Sequence, residues 1–297
     1  MKFLVTGGAG FIGSHLVHRL QSHAPVHVLD NLTTGRRDRL VGSGCRLFEG
    51  SILDRTLLAE AVQGVTHIFH LAAMVSVSES VAQPSACEQT NVEGTRQVLE
   101  AASKAGAKRF VLASSCAIYG NDPKTPKNES LPPAPASPYA ESKLAGEKMC
   151  AASAVPAVAL RFFNVYGPGQ DPHGPYAAAI PSFFQSALSH TPITIHGDGK
   201  QTRDFVFVED VTAALFHAAL HPDLGGVYNV ASGQSTSILQ LAQKIISLTG
   251  SSSTITHTPE RPGDVRFSSA SIERIRATGW APRTALEEGL TRLMPKN

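Results

Sequence analysis

Tyr139 and Lys143 stand four residues apart in the stretch Ser137-Pro138-Tyr139-Ala140-Glu141-Ser142-Lys143. Ser followed by Pro reads as a helix start, because Ser caps the first amides and Pro is tolerated in the first turn. On such a helix, residues four apart share a face, so an ammonium would lie beside a phenol. A positive neighbour favours the phenolate and is expected to lower the Tyr139 pKa from its ordinary value of about 10. A phenol tuned in this way can take a proton from a sugar or alcohol hydroxyl and return it. The same spacing also arises by chance, as a solvated Lys and a half-buried Tyr on an ordinary helix. What gives the pair a partner is the start of the chain.

There, the apolar run Lys2–Thr6 leads into Gly7-Gly8-Ala9-Gly10-Phe11-Ile12-Gly13. Gly8, Gly10 and Gly13 fit the G-x-G-x-x-G spacing, and Gly7, Gly10 and Gly13 fit the wider G-x-x-G-x-x-G. Such glycines allow a tight turn, close approach of backbone to a pyrophosphate and close packing of the next helix. That helix, expected from Phe11 to Gln21, would aim its first amides at the phosphates. A second strand, Val26–Leu29, ends at Asp30. An acid at that strand end suits an adenosine ribose 2′-hydroxyl and repels a 2′-phosphate. The reading is therefore a dinucleotide site for NAD, with NADP second because Arg36 and Arg37 lie nearby.

The elements that must carry these groups alternate. Strands are expected at Arg46–Glu49, Thr66–Leu71, Arg109–Ala113 and Ala157–Arg161, with helices at Thr56–Val62, Ser85–Ala105 and from Ser137 onward. This alternation predicts an α/β fold, a Rossmann-like doubly wound parallel sheet. The last third mixes short strands (Ile193–Ile195, Phe205–Phe207) with helices (Thr212–Ala219, Ile238–Leu248) and reads as a smaller C-terminal α/β substrate lobe. The expected division is residues 1–164, with a return segment at about 205–222, against 165–204 and 223–297. Asp122–Pro135 and Gly167–Pro175 read as surface loops.

Composition narrows the partners. With 26 Lys+Arg against 24 Asp+Glu and a net charge of +2, no global field points to nucleic acid or an anionic membrane. No apolar run approaches the ~20 residues that span a bilayer, and glycines at once interrupt the apolar start, so no signal peptide is read. Cys45, Cys87, Cys116 and Cys150 show no metal-like spacing, nor do the 12 His. A cytoplasmic protein with free thiols and no metal is expected.

Taken together, these residues resemble the extended short-chain dehydrogenase/reductase family, and within it the nucleotide-sugar 4-epimerase branch. The resemblance runs nearly end to end, through Gly7–Gly13, Asp30-Asn31-Leu32, His70-Leu71-Ala72-Ala73, Asn91-Val92-Glu93-Gly94-Thr95, Ser114-Ser115, Tyr139 with Lys143, and Arg161-Phe162-Phe163-Asn164. It continues through Gly197-Asp198-Gly199, Arg203-Asp204-Phe205 and Arg261-Pro262-Gly263-Asp264. Gly50-Ser51-Ile52-Leu53-Asp54 departs from the pattern, since the family usually has Asp at the position of Ser51 to hold the adenine amino group.

The resemblance implies roles. Tyr139 would be the general base on the sugar 4-hydroxyl, Lys143 would hold the nicotinamide ribose, and Ser115 would hydrogen-bond the reacting oxygen. NAD would be lined by Gly7, Gly10, Phe11, Ile12, Gly13, Asp30, Asn31, Ser51, Ile52, Leu71, Ala72, Ala73, Asn91 and Phe162, besides Tyr139 and Lys143. Arg203, Arg261 and Asn164 would hold the substrate diphosphate, where guanidinium forks suit phosphate oxygens. His196 would line the uracil pocket, and Ser268 would border the 2-substituent of the sugar. Family members generally form homodimers through a four-helix contact, here the helices bearing Asn91–Ala105 and Tyr139–Cys150.

The implied reaction is 4-epimerisation of a UDP-hexose, in which the sugar loses and regains hydride through a 4-keto form. Dehydratases and decarboxylases of the family place an acid directly after the active-site hydroxyl. Ser115-Cys116-Ala117-Ile118-Tyr119 has none, which favours epimerisation. Small Ser268 extends the expected substrates from UDP-glucose and UDP-galactose to UDP-GlcNAc and UDP-GalNAc. Alternatives are an epimerase of UDP-glucuronate, UDP-xylose or a dTDP-sugar, a nucleotide-sugar reductase, or a non-catalytic NAD-binding regulator.

Overall fold

The computed structural model describes residues 1–172, 178–260 and 265–295. It opens with β1 (Phe3–Thr6), α1 (Phe11–Leu20), β2 (Val26–Asp30), β3 (Arg46–Glu49), α2 (Arg55–Ala61) and β4 (His67–His70). Every residue of β1 and β2 is buried, as expected of central parallel strands covered on both faces. In α1 the residues Gly13, Leu16, Val17 and Leu20 are buried, the spacing of a helix with one apolar face.

Next come α3 (Val77–Ala82), α4 (Pro84–Cys87), a π-helical turn at Glu88–Glu93 and α5 (Gly94–Lys104). The helix expected from Ser85 to Ala105 is thus present and continuous, with its middle widened into a π-helical turn. The wider turn holds Asn91, whose buried side chain bonds outside the helix, and such turns recur at functional sites. β5 (Arg109–Ser115) follows and outruns its expected end by two residues. α6 (Pro138–Ala151) begins as expected: Ser137 accepts from the Ala140 amide, with Pro138 in the first turn. A cap of this type is worth about 1 kcal/mol.

β6 (Ala157–Phe162), β7 (Asn164–Tyr166), α7 (Ala179–Leu188), β8 (Ile193–His196), β9 (Thr202–Arg203), β10 (Phe205–Phe207), α8 (Val208–Leu220) and β11 (Gly226–Val230) come next. The chain closes with β12 (Thr236–Ser237), α9 (Ile238–Thr249), β13 (Ile255–Thr258), α10 (Glu273–Arg276) and α11 (Leu286–Thr291). The main sheet has seven parallel strands in the order β11-β6-β5-β4-β1-β2-β3. This is the Rossmann-like sheet the sequence predicts. β11 was not anticipated, because Gly226-Val227-Tyr228-Asn229-Val230 lacks a long apolar run. Its Asn229 is nevertheless fully buried, with hydrogen bonds to Lys127, Ser271 and Tyr119.

Two apolar clusters fill the two faces of the main sheet, built around Phe3, Val5 and Val28 and around Leu4, Leu29 and Ile68. A third joins Tyr166, Phe183, Phe184, Ile195, Leu241 and Ile245, between α7, β8 and α9. The stretch Asp122–Pro135 is not simply a surface loop. Lys127 is 2% exposed, and its backbone exchanges hydrogen bonds with Ser269 and Ser271. Of Gly167–Pro175, residues 173–175 lie outside the described residues.

Candidate active site

At the end of β1 the chain turns through Gly7 at φ +70°, where a side chain would strike the Ala72 amide nitrogen at 2.7 Å. A side chain on Gly13 would meet the Gly7 carbonyl oxygen at 2.1 Å. Two close backbone approaches therefore leave no room for any other residue at either position. α1 starts at Gly10 without a side-chain cap, leaving its first amides, on Phe11 and Ile12, for a ligand. At the next strand end, Asp30 accepts from the Ala9 amide at 2.9 Å and the Leu32 amide at 2.8 Å. Bare glycine backbone, an uncapped helix start and an oriented carboxylate fit a pyrophosphate with a free ribose 2′-hydroxyl. Arg36 and Arg37 are engaged with Asp38 and Glu49, so their charge is already balanced where a 2′-phosphate would need it.

The other expected groove residues line up around this turn. Asn31 is exposed and accepts from the Thr33 amide at 3.2 Å. Ser51 accepts from the Leu53 amide at 3.1 Å, and Ile52 is buried against Gly94. Leu71 and Ala72 donate to Thr6, through its carbonyl at 3.1 Å and its hydroxyl at 3.3 Å, and half-buried Ala73 continues the loop.

A hydrogen-bond chain fixes that loop. Thr95 donates its hydroxyl proton to the Asn91 carbonyl at 2.6 Å, so its oxygen accepts from His70 Nε2 at 2.9 Å. His70 Nδ1 then accepts from the Thr6 hydroxyl at 2.7 Å. The imidazole is a single neutral tautomer, and burial pushes its pKa down to about 3. Asn91 itself clamps Met74, accepting from its amide at 2.7 Å and donating to its carbonyl at 2.9 Å, and donates to Ser142 at 2.9 Å. Its amide is thus turned to protein groups and holds the Leu71–Met74 loop against α6.

The groups suited to proton transfer meet where β5 ends. Ser115 accepts from the Ala117 amide at 3.1 Å, and its hydroxyl faces the Tyr139 phenol and favours the phenolate. Ser80 accepts from the Tyr139 amide at 3.1 Å, fixing the entry of α6. Lys143 is 8% exposed; its Nζ lies 5.7 Å from the centre of the Tyr139 ring and donates to the Ala113 carbonyl at 2.9 Å. Phe162 is buried on β6 in register with Ser115. The expected lowering of the Tyr139 pKa is not found. Burial pushes it up to about 12, only partly offset by the Ser115 hydrogen bond, and burial pushes Lys143 down to about 8. Desolvation dominates at both groups because both are enclosed, and Lys143 gives up its proton well before the phenol would.

Across the cleft, Arg203 donates to the carbonyls of Thr202 at 2.7 Å and Val265 at 2.6 Å. Ser268 is buried beside it, its amide on the Thr202 carbonyl at 3.2 Å. Asn164 donates from its side chain to the Asp204 carbonyl at 3.2 Å. Asp204, fully buried, accepts from Ser232, Gly233 and Ala270 and so ties three segments together. Arg203, Asp204 and Lys127 all act on the thiol of Cys116, which burial pushes up to about 11. His196 stands farther along, at the end of β8, with Nδ1 2.9 Å from the Thr258 hydroxyl. Arg261 lies outside the described residues. Among the described residues, no group of three or more His, Cys, Asp or Glu could hold a metal, and no helix is long and apolar enough to cross a membrane.

Sequence reasoning gave no role to Glu147, Arg161, His70 or Asp204. A signal existed for two of them: Glu147 falls one turn beyond Lys143 on the same face, and Arg161 is a charge inside an apolar strand.

A family model described as "NAD dependent epimerase/dehydratase family" matches residues 3–231. A UDP-glucose 4-epimerase of Mycolicibacterium smegmatis is 39% identical, over 98% of this chain and 97% of its own length. A UDP-N-acetyl-alpha-D-glucosaminuronate decarboxylase of Bacillus cytotoxicus is 37% identical, over 87% and 83%. The structure of a UDP-N-acetylglucosamine 4-epimerase from Methanobrevibacter ruminantium, in complex with UDP-N-acetylmuramic acid, superposes with a TM-score of 0.94 at 35% identity, covering 98% of this chain and 96% of that one.

Proposed function

The chain belongs to the NAD dependent epimerase/dehydratase family, and from that premise we propose that it catalyses 4-epimerisation of a UDP-hexose. The observation that carries this reading is the pair of positions after Ser115. Elimination or decarboxylation needs an added acid or base beside the reacting carbons. Cys116 and Ala117 provide no carboxylate, and the Cys116 thiol is held protonated, with its pKa at about 11.

Bound NAD, held by Gly7–Gly13, Asp30 and the Leu71–Ala73 loop, would supply the site that accepts hydride from carbon 4 of the sugar and returns it. Tyr139 takes the proton of the 4-hydroxyl and keeps it while the sugar is a ketone. Ser115 donates to the same oxygen and orients it. Lys143 Nζ stands 5.7 Å from the centre of the Tyr139 ring and would hold the nicotinamide ribose, and the positive ring of bound NAD would favour the phenolate against the burial that opposes it. On return, Tyr139 gives the proton back, so no net acid, base or reductant is consumed.

Arg203 and Asn164 flank the space for the diphosphate, with His196 at the nucleobase end. Ser268 is small where a bulky side chain would narrow the pocket, which supports acceptance of 2-acetamido sugars. The helices α5 and α6 are the faces proposed to pair two copies of the chain.

The test is incubation of the pure protein with UDP-glucose, UDP-GlcNAc and UDP-glucuronate, followed by separation of products. UDP-galactose or UDP-GalNAc formed without added cofactor turnover is the expected result. A 4-keto-6-deoxy sugar, a pentose, or stoichiometric consumption of NADPH would overturn it.

A further inference from the structure

Three side chains on one face of α6 reach three successive residues of β5. The Tyr139 phenol faces Ser115, Lys143 donates to the Ala113 carbonyl at 2.9 Å, and Glu147 accepts from the Ser114 hydroxyl at 2.6 Å. They lie at i, i+4 and i+8, so they share one face of the helix and tie it to the end of the strand.

The third of these is itself anchored. Arg161 on β6 grips Glu147 with two bonds, Nε to Oε1 at 2.9 Å and Nη2 to Oε2 at 2.7 Å. Glu147 is 6% and Arg161 3% exposed. The guanidinium lies 4.7 Å over the Tyr119 ring, and its Nη1 has no acceptor among the described residues. Tyr119 donates to Asn229 at 2.7 Å, and Asn229 donates to the carbonyls of Lys127 at 3.0 Å and Ser271 at 3.2 Å. The polar chain thus runs from the catalytic helix to the segment that follows Ser268. A buried ion pair is a poor source of stability, because desolvation offsets the attraction. Its bidentate geometry, by contrast, fixes position closely.

We propose that Glu147, gripped by Arg161 and Ser114, is a positioning residue that sets where Tyr139 and Lys143 stand over Ser115. The inference rests on the epimerase reading of the site. Around Lys143 stand Glu147 and Tyr139 on its own helix, Cys87 on α4 and His70 on β4, with Arg161 behind Glu147 on β6. Of these, Glu147 and Cys87 favour the ammonium while burial opposes it. Loss of the Glu147 charge, with Arg161 left uncompensated, therefore makes Lys143 give up its proton at lower pH.

The test compares full-length wild type with Glu147→Gln, Glu147→Asp and Ser114→Ala. It measures kcat and KM with UDP-glucose, thermal unfolding, and the Lys143 titration followed by NMR of ε-13C-lysine, assigned with Lys143→Met. A sub-ångström to 1 Å displacement of reacting groups costs up to about 100-fold. Glu147→Gln is expected to lower kcat about 10- to 100-fold with KM within about twofold, and to move the Lys143 midpoint to lower pH. Glu147→Asp keeps the midpoint of the wild type while kcat recovers in part. Ser114→Ala, which leaves the ion pair whole, lowers kcat by a smaller factor without moving the midpoint. A folded Glu147→Gln protein with wild-type kcat and midpoint overturns the proposal. If that variant does not fold, an unchanged kcat in Ser114→Ala overturns it. A wild type that epimerises no UDP-hexose overturns the reaction instead, and the Lys143 midpoints then decide the positioning role without turnover.

Discussion

Lys143 Nζ lies 5.7 Å from the centre of the Tyr139 ring and spends a proton on the Ala113 carbonyl 2.9 Å away. The ammonium is therefore a near neighbour of the phenol and also a bolt between α6 and β5. Its charge does not depress the Tyr139 pKa: enclosing the phenol pushes it up to about 12, and Lys143, at about 8, is neutral before the phenol ionises.

Removing the phenol oxygen tests its role. Tyr139→Phe keeps the ring and its packing, and its kcat is expected to fall by roughly 100-fold or more, the usual contribution of a positioned general base. The measure is UDP-galactose formed from UDP-glucose under single-turnover conditions, and a decrease of only a few-fold would remove Tyr139 from the mechanism.

Activity of the free enzyme should decline as pH rises through about 8, where Lys143 loses its proton. Its folded value lies below the 10.5 of an unperturbed lysine, so between these two values the unfolded chain holds more protons. This one group thus makes the fold more stable, not less, as pH rises across that window. Alkaline loss of kcat/KM without loss of folded structure by circular dichroism is the expected signature.

Acid has the opposite effect through His70. Its pKa is lowered from 6.5 to about 3, so the unfolded chain takes up the proton first as pH falls. Stability decreases from about pH 6.5 toward pH 3, by at most ~1.4 kcal/mol per pH unit from this residue. Urea midpoints at pH 7.5 and pH 5 measure the slope, and a His70→Asn variant should show a shallower one.

Gly13→Ala places a methyl group 2.1 Å from the Gly7 carbonyl oxygen. The turn must open, and the amides at the start of α1 move with it. The variant should purify without bound NAD, read from the nucleotide released by acid, whereas Gly42→Ala on the surface should change stability and leave NAD content alone.

Ser268→Tyr fills space next to Arg203. On the proposal that Ser268 borders the 2-substituent, kcat/KM for UDP-GlcNAc relative to UDP-glucose should decline by about 10-fold or more, as expected of a clash in a shaped pocket. Equal loss for both sugars would place Ser268 away from the 2-substituent.

Much of this was legible in the chain. Gly7–Gly13 between an apolar strand and an amphipathic helix, Asp30 at the next strand end, and Ser137-Pro138 before Tyr139 are local signals, because turn sterics, helix capping and side-chain period act over a few residues. They fixed the parallel α/β architecture, the NAD-type groove and the spacing of Tyr139 with Lys143. Burial and long-range pairing are set by parts of the chain that meet only on folding, and those only the tertiary structure decided. It placed β11 beside β6, turned Asn91 inward through a π-helical turn, and raised the Tyr139 pKa. It also joined Glu147 on α6 to Arg161 on β6 and Ser114 on β5, because desolvation and a bidentate ion pair depend on what surrounds a side chain, not on its neighbours in sequence.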